Sequence, residues 1–157
     1  MTKGNLPQEV LSVTSRWLDA VEAALHRIAN AAMTSQTSEG LVVASVVEDA
    51  FLATTHFRRV LARELPLGER PQVRYVRITP LPESLARVIA DDLAISTSLP
   101  EDLLDLAKRQ LPLKDVAPFL LLIGHVAGSQ ALVAAAVWDS YPHLAPPGWV
   151  PSDAPKR

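Results

Sequence analysis

The sequence predicts an all-α protein of about five helices, in which an N-terminal antiparallel helical hairpin packs with a highly apolar C-terminal central helix. Apolar residues recur at spacings of three and four along most of the chain, as they do on amphipathic helices. Strand-like residues occur only in the isolated run QVRYVRIT, which has no partner for a sheet. We expect one helical-bundle domain, residues 1–142, followed by a proline-rich extended tail, residues 143–157.

The first two predicted helices form the hairpin. Val10, Trp17 and Val21 belong to an apolar stripe on a helix that begins near Pro7 and continues for roughly seven turns. The hydroxyl residues of MTSQTSEG then favour a turn, because their side chains compete for backbone hydrogen bonds. A second helix is predicted over about 38–64. Two long amphipathic helices joined by a short turn should pack antiparallel.

A connector rich in proline separates this hairpin from the rest of the chain. No long helix is compatible with its helix breakers, which are Pro66, Gly68, Pro71, Pro80 and Pro82. A third helix is predicted from about Glu83 to Ile95. A short fourth helix should follow to about Gln110, opened by a capping box between Ser98 and Glu101.

The last predicted helix is the most apolar segment. It should begin near Asp115, with Pro118 in its first turn, and reach Trp138 or Ser140. Residues 116–138 are long enough for a single membrane span and carry no charge when the histidine is neutral, so a span is one alternative. Polar groups at the midpoint are costly in hydrocarbon, and four amphipathic helices need an apolar partner. We therefore expect a buried helix and no membrane.

Small residues recur along this helix at spacings of four, three and four. They should form a strip without bulk, along which a neighbouring helix can approach closely. The same spacing also promotes helix pairing inside membranes. The predicted helix-packing residues are Gly124, Gly128, Ala131 and Ala135.

Composition excludes several kinds of function. The chain has no cysteine, which removes disulfides, thiolate metal sites and cysteine nucleophiles. A net charge of −2 gives no reason to expect binding to nucleic acid. The N-terminal run MTKGNLPQEV lacks the apolar core of a secretory signal, so we expect a cytoplasmic protein. An excess of arginine over lysine is typical of a GC-rich bacterial gene.

Charge is arranged in two opposed blocks. Residues 56–77 contain six arginines and two glutamates, a formal charge of +4, whereas residues 78–105 contain six acids and one arginine, a charge of −5. Because the two blocks nearly cancel, they favour two faces of one molecule or a self-complementary interface over a surface built for a polyanion.

Four arginines and a tryptophan are candidate contacts to a partner. The guanidinium groups could together hold a phosphate or a carboxylate-rich partner, although pairing with the acidic block is the simpler interpretation. The tryptophan is the one large apolar residue of the tail and could anchor it on the bundle, unless the end of the chain is disordered. These interaction candidates are Arg59, Arg63, Arg74, Arg77 and Trp149.

A polar cluster inside the apolar helix is the candidate ligand site. His125, Ser129 and Gln130 could bind a small molecule or take part in a metal site, although a histidine in such a helix is more often a hydrogen-bonded core residue. A second metal arrangement would combine Glu22 and His26 with acids and His56 of the second helix, but solvated charges are the simpler interpretation. We predict no metal and no cofactor.

The sequence therefore supports three hypotheses about function. No nucleotide-binding, metalloprotease or nucleophile motif is present, and no catalytic residue is predicted, so a non-enzymatic role is favoured. The leading hypothesis is a helical protein-interaction module, an adaptor, regulator or immunity-type partner that self-associates as a homodimer. The alternatives are a bundle that encloses a small-molecule or metal site near His125, with catalysis as an option, and a single-span membrane protein.

Overall fold

Helices make up most of the computed structural model, which describes residues 6–72, 78 and 80–149. No strand occurs among these residues, and the predicted all-α fold is confirmed. In chain order the helices are α1 (Gln8–Ser35), α2 (Ser38–Leu61), α3 (Glu83–Thr97), α4 (Glu101–Gln110), α5 (Leu113–Gly128) and α6 (Ala131–Ser140), followed by a 3-10 turn at Pro142–Leu144.

The predicted N-terminal hairpin is formed by α1 and α2, which pack along each other. The Thr37 hydroxyl caps α2 by accepting a hydrogen bond from the Gly40 amide at 3.0 Å. Gly40 is buried where the two helices meet, and a Cβ there would overlap the Ser35 hydroxyl and the Ala32 carbonyl oxygen. The tight turn therefore requires a residue without a side chain at this position.

One hydrophobic core joins the hairpin to the rest of the chain. α1 also packs against α3 and α4, while α5 packs against α2, α3 and α4. Phe57 of α2 is fully buried between Trp17 of α1 and Phe119 of α5, with ring centroids 6.3 and 5.5 Å away and edge-to-face geometry in both pairs. This aromatic row fixes the C-terminal segment on the hairpin.

The apolar C-terminal segment is two helices, whereas the sequence predicted one continuous helix. α5 and α6 are inclined by 46° across Ser129 and Gln130. The Ser129 hydroxyl donates to the Val126 carbonyl at 2.7 Å, and Gln130 turns its buried side chain towards the Val46 carbonyl of α2 at 3.4 Å. The polar residues at the midpoint therefore end the first helix, with the weak helix former Gly128 directly before them.

Prolines set the beginnings of four helices. Pro7, Pro82, Pro100 and Pro112 stand at the N-cap positions of α1, α3, α4 and α5, and none has a side chain that can cap. The predicted capping box at Ser98 is wrong, because α4 begins only after Pro100. Similarly, α5 begins before Asp115, which lies in its first turn, so Pro118 falls inside the helix.

Residues after α6 lie back against the bundle. The Tyr141 hydroxyl donates to the Leu81 carbonyl at 2.7 Å, just before α3 begins. Trp149 packs edge to face on the buried Trp138, with ring centroids 5.8 Å apart. The predicted tail is therefore described as far as Trp149, which contacts the bundle; residues 150–157 lie outside the described part of the chain.

Two segments of the described chain have the length and composition of a membrane span. One is α2, half of whose apolar window is buried in the protein, and the other is the bent pair of α5 and α6. A helix buried in the core of a soluble protein has the same length and composition.

Candidate interaction surfaces

The outer face of α5 is an apolar groove that no other part of the described chain covers. Five residues line an opening of about 520 Å³. A second opening of about 250 Å³ shares two of them and continues to the loop at residues 67–70. We call this surface the α5 groove and define it by Ala117, Leu120, Leu121, Gly124 and His125.

The predicted small-residue strip lies on or beside this groove. A Cβ added at Gly124 or Gly128 would have nothing within 4 Å. Ala131 is exposed and Ala135 is half-buried. The close approach that the spacing predicted is therefore not made by a helix of the same chain at either glycine, and this part of the α5–α6 face stays open.

Basic side chains border one side of the α5 groove. Arg70 is exposed and forms no ion pair with a described residue, and His56 of α2 is hydrogen-bonded to the Glu69 carbonyl at 2.9 Å, which holds the loop against α2. Desolvation, Arg70 and His56 together lower the pKa of His125. Glu69 is the carboxylate that lines the loop end of the groove. We call Arg70, His56 and His125 the basic rim.

The three predicted ligand residues are not brought together. His125 lines the α5 groove, and its Nε2 is screened from solvent with no hydrogen-bond partner in the described structure. The Ser129 hydroxyl donates to the backbone of its own helix, and Gln130 lies in the core against α2. Neither lines the groove. The helix break separates the cluster that the sequence presented as one site.

The sequence also predicted that the arginine block pairs with the acidic block. This prediction is wrong for every arginine of that block whose ion pairs the structure describes. Arg59 pairs with Glu64 of its own block at 3.3 Å. From the acidic block, Asp92 pairs instead with Arg27 of α1 at 2.8 Å. Arg63 is exposed in the left-handed region at φ 66°, and Arg74 and Arg77 lie outside the described residues.

Sequence reasoning missed the main ion pairs of the hairpin. Arg58 reaches from α2 to Glu22 of α1 through two hydrogen bonds of 2.8 and 3.0 Å, and to Asp19 at 2.6 Å. The hydrogen bonds with Glu22 are the largest of the effects that raise the pKa of Arg58. The signal was the i, i+3 spacing of two acids on α1, but only the helix register shows which arginine faces them.

These local pairs leave an acidic and apolar ridge along α3 and just past its end. Val88, Ile95 and Leu99 are 63%, 41% and 53% exposed, and the exposed Asp91 stands between the first two at helical spacing. Asp91 forms no ion pair within the described chain. We call these four residues the acidic ridge.

The predicted metal arrangement has other contacts. Glu22 is held by Arg58, and the His26 ring packs on Phe51 with centroids 4.7 Å apart. Across residues 6–72, 78 and 80–149, no group of three His, Asp or Glu side chains is placed to hold a metal ion.

Another concave region lies between the end of α1 and the beginning of α3, with a volume of about 270 Å³. Its walls combine apolar side chains with hydroxyl residues such as Thr34, Thr37 and Ser84. Its lining contains no charged residue and no histidine, so it offers neither an acid nor a base for catalysis.

Comparison of the chain with protein-family models, curated proteins and solved structures finds no match. Function is therefore inferred from the surfaces themselves. Two of them, the α5 groove and the acidic ridge, are apolar, with the exposed Arg70 beside the first and the exposed Asp91 on the second.

Proposed function

We propose that this protein is a non-enzymatic helical interaction module that works by binding protein, first of all a second copy of itself. The observation that carries the proposal is the uncovered α5 groove with open space at Gly124 and Gly128. Contiguous exposed apolar surface rimmed by polar residues is a common site of protein–protein interaction.

The energetics of α5 support an occupied groove. A glycine inside a helix costs about 1 kcal/mol relative to alanine, and no contact within the described chain requires Gly124. Leu121 is 45% exposed, and burying a leucine side chain fully contributes roughly 1.5–3 kcal/mol. A partner that covered this face would gain the free energy of burying Leu121. That gain would explain why the helix tolerates the cost of a glycine.

The charge pattern favours a second copy as the partner. The net charge is only −2, although the chain contains blocks of +4 and −5. A chain that binds only an acidic or only a basic partner needs one block of the opposite charge and not a second block of the other sign. A self-associating chain needs both.

Sedimentation velocity over a concentration series tests this proposal. Wild type should form a dimer or a larger assembly, and Leu121→Glu should return it to monomer because it replaces an apolar contact with a charged group that is costly to remove from water. Leu41→Glu is the matched control, since Leu41 is 60% exposed on α2 and lies away from the groove. A wild-type chain that remains a monomer up to millimolar concentration would refute self-association.

A further inference from the structure

The two surfaces named above fit each other. We infer that the α5 groove of one copy receives the acidic ridge of a second copy, with Asp91 of the ridge placed against Arg70 of the rim. This inference rests on the proposed self-association and assigns the surfaces that form it.

The side chains of the two surfaces suit helix packing. The ridge presents three exposed branched aliphatic side chains, Val88, Ile95 and Leu99, on α3 and just past its end. The groove is lined by the small residues Ala117 and Gly124 and by Leu120 and Leu121. Helices pack by inserting ridges of side chains into grooves, and small residues allow the closest approach.

Their charges are complementary as well. Arg70 and Asp91 are both exposed, and each forms no ion pair with a described residue of its own chain. The pKa of His125 is lowered, so this histidine stays neutral at neutral pH and the positive charge of the rim comes from Arg70, with Glu69 beside it. A carboxylate from a second copy can therefore pair with Arg70, whereas a basic side chain in the same place would be repelled by it.

Every copy of the chain carries both surfaces. In a closed two-fold dimer the groove of each copy would receive the ridge of the other, so the contact between Arg70 and Asp91 would form twice.

A charge-swap experiment tests the assignment. Arg70→Glu alone and Asp91→Arg alone should each weaken self-association about tenfold or more, because each places like charges together. Mixing the two variants should restore wild-type affinity. In the mixed dimer the introduced glutamate of one chain faces the introduced arginine of the other, while the native pair of Arg70 and Asp91 forms at the second contact. Arg16→Glu and Glu48→Arg are the controls, because both residues are exposed and belong to neither surface.

Disulfide trapping provides a geometric readout in the folded protein. The chain has no cysteine, so engineered thiols have no background. A mixture of Gly124→Cys and Ile95→Cys chains should form a disulfide-linked heterodimer under mild oxidation, and a mixture of Gly124→Cys and Leu41→Cys chains should not. Gly124 has open space for a side chain, and Ile95 and Leu41 are exposed, so the substitutions should leave the fold intact.

The outcomes separate this inference from the proposed function. If Leu121→Glu abolishes association while both charge variants associate like wild type and no specific crosslink forms, self-association holds and the ridge is not the occupant. If wild type never associates, both proposals fail. Restored affinity in the mixture together with the crosslink would support the assignment of both surfaces.

Discussion

Phe57 of α2 and Phe119 of α5 meet edge to face in the core, with their ring centroids 5.5 Å apart and both side chains fully buried. This pair joins the N-terminal hairpin to the C-terminal half of the chain. It also determines which face of α5 is turned outwards, because Leu122, Ile123 and Val126 share the buried side with Phe119. The α5 groove is therefore a consequence of how this pair packs.

Phe119→Ala should destabilise the fold by roughly 3–5 kcal/mol, since it removes a buried ring and leaves a cavity. Phe119→Leu should cost less, because it keeps most of the volume. Chemical denaturation measures both values, at protein concentrations where the chain is monomeric. Leu113→Ala is the control, since Leu113 is 90% exposed and should change stability by less than about 0.5 kcal/mol. Equal losses for Phe119→Ala and the control would contradict the described core.

Gly40→Ala should destabilise the hairpin by about 2 kcal/mol, because the added methyl group overlaps the Ala32 carbonyl oxygen and the backbone must shift. Gly68→Ala should have little effect, since a Cβ there meets nothing within 4 Å. Thermal unfolding of the two variants beside wild type checks this contrast. If Gly40→Ala leaves stability unchanged, α1 and α2 must lie farther apart at this turn than the structure describes.

The pH dependence of stability should report on His125. Its pKa is lowered in the folded chain by desolvation and by Arg70 and His56, so the unfolded chain takes up the proton more readily. Stability should therefore be greatest above the ordinary histidine pKa of about 6.5 and should fall as pH drops from there towards the lowered pKa.

His125→Gln should reduce this loss of stability at acidic pH, because glutamine does not titrate. Urea unfolding of wild type and variant near pH 7.5 and near pH 5.5, on monomeric protein, gives the comparison. The same pH dependence in both chains would show that burial of His125 is not its source.

Much of the fold follows from sequence periodicity, and the parts that do not follow have physical reasons. The spacing of Val10, Trp17 and Val21 predicts α1, and the hydroxyl run predicts the turn after it. The break at Gln130 was missed because Ser129 and Gln130 were interpreted as a site inside one helix. Polar side chains are costly inside an apolar helix. The first helix therefore ends at these residues, and the Gln130 side chain turns towards the Val46 carbonyl.

The candidate surfaces could be predicted only in part. The spacing of Gly124 and Gly128 predicts a face without bulk, but whether that face meets a helix of the same chain depends on the packing of Phe119 on the other side. The loop that brings Arg70 beside His125 is a tertiary contact between segments 55 residues apart, which no local pattern encodes. The sequence does not show which of the adjacent acids Asp91 and Asp92 is paired inside the chain, so it did not reveal the acidic ridge. In the structure it is Asp92 that pairs with Arg27.

The glycines of α5 give the prediction that best distinguishes a packing surface from an unused one. Gly124→Ala should stabilise the isolated chain by about 1 kcal/mol, because alanine favours the helix and nothing lies within 4 Å of the new methyl group. If the groove receives a second copy, the same methyl group should obstruct the close approach and weaken self-association. The free energy of unfolding of the monomer, measured in urea, should therefore rise, while the affinity of self-association, measured by sedimentation, should fall. An internal glycine that only weakened the helix would give a gain in stability with unchanged association, and that result would contradict the α5 groove as an interface.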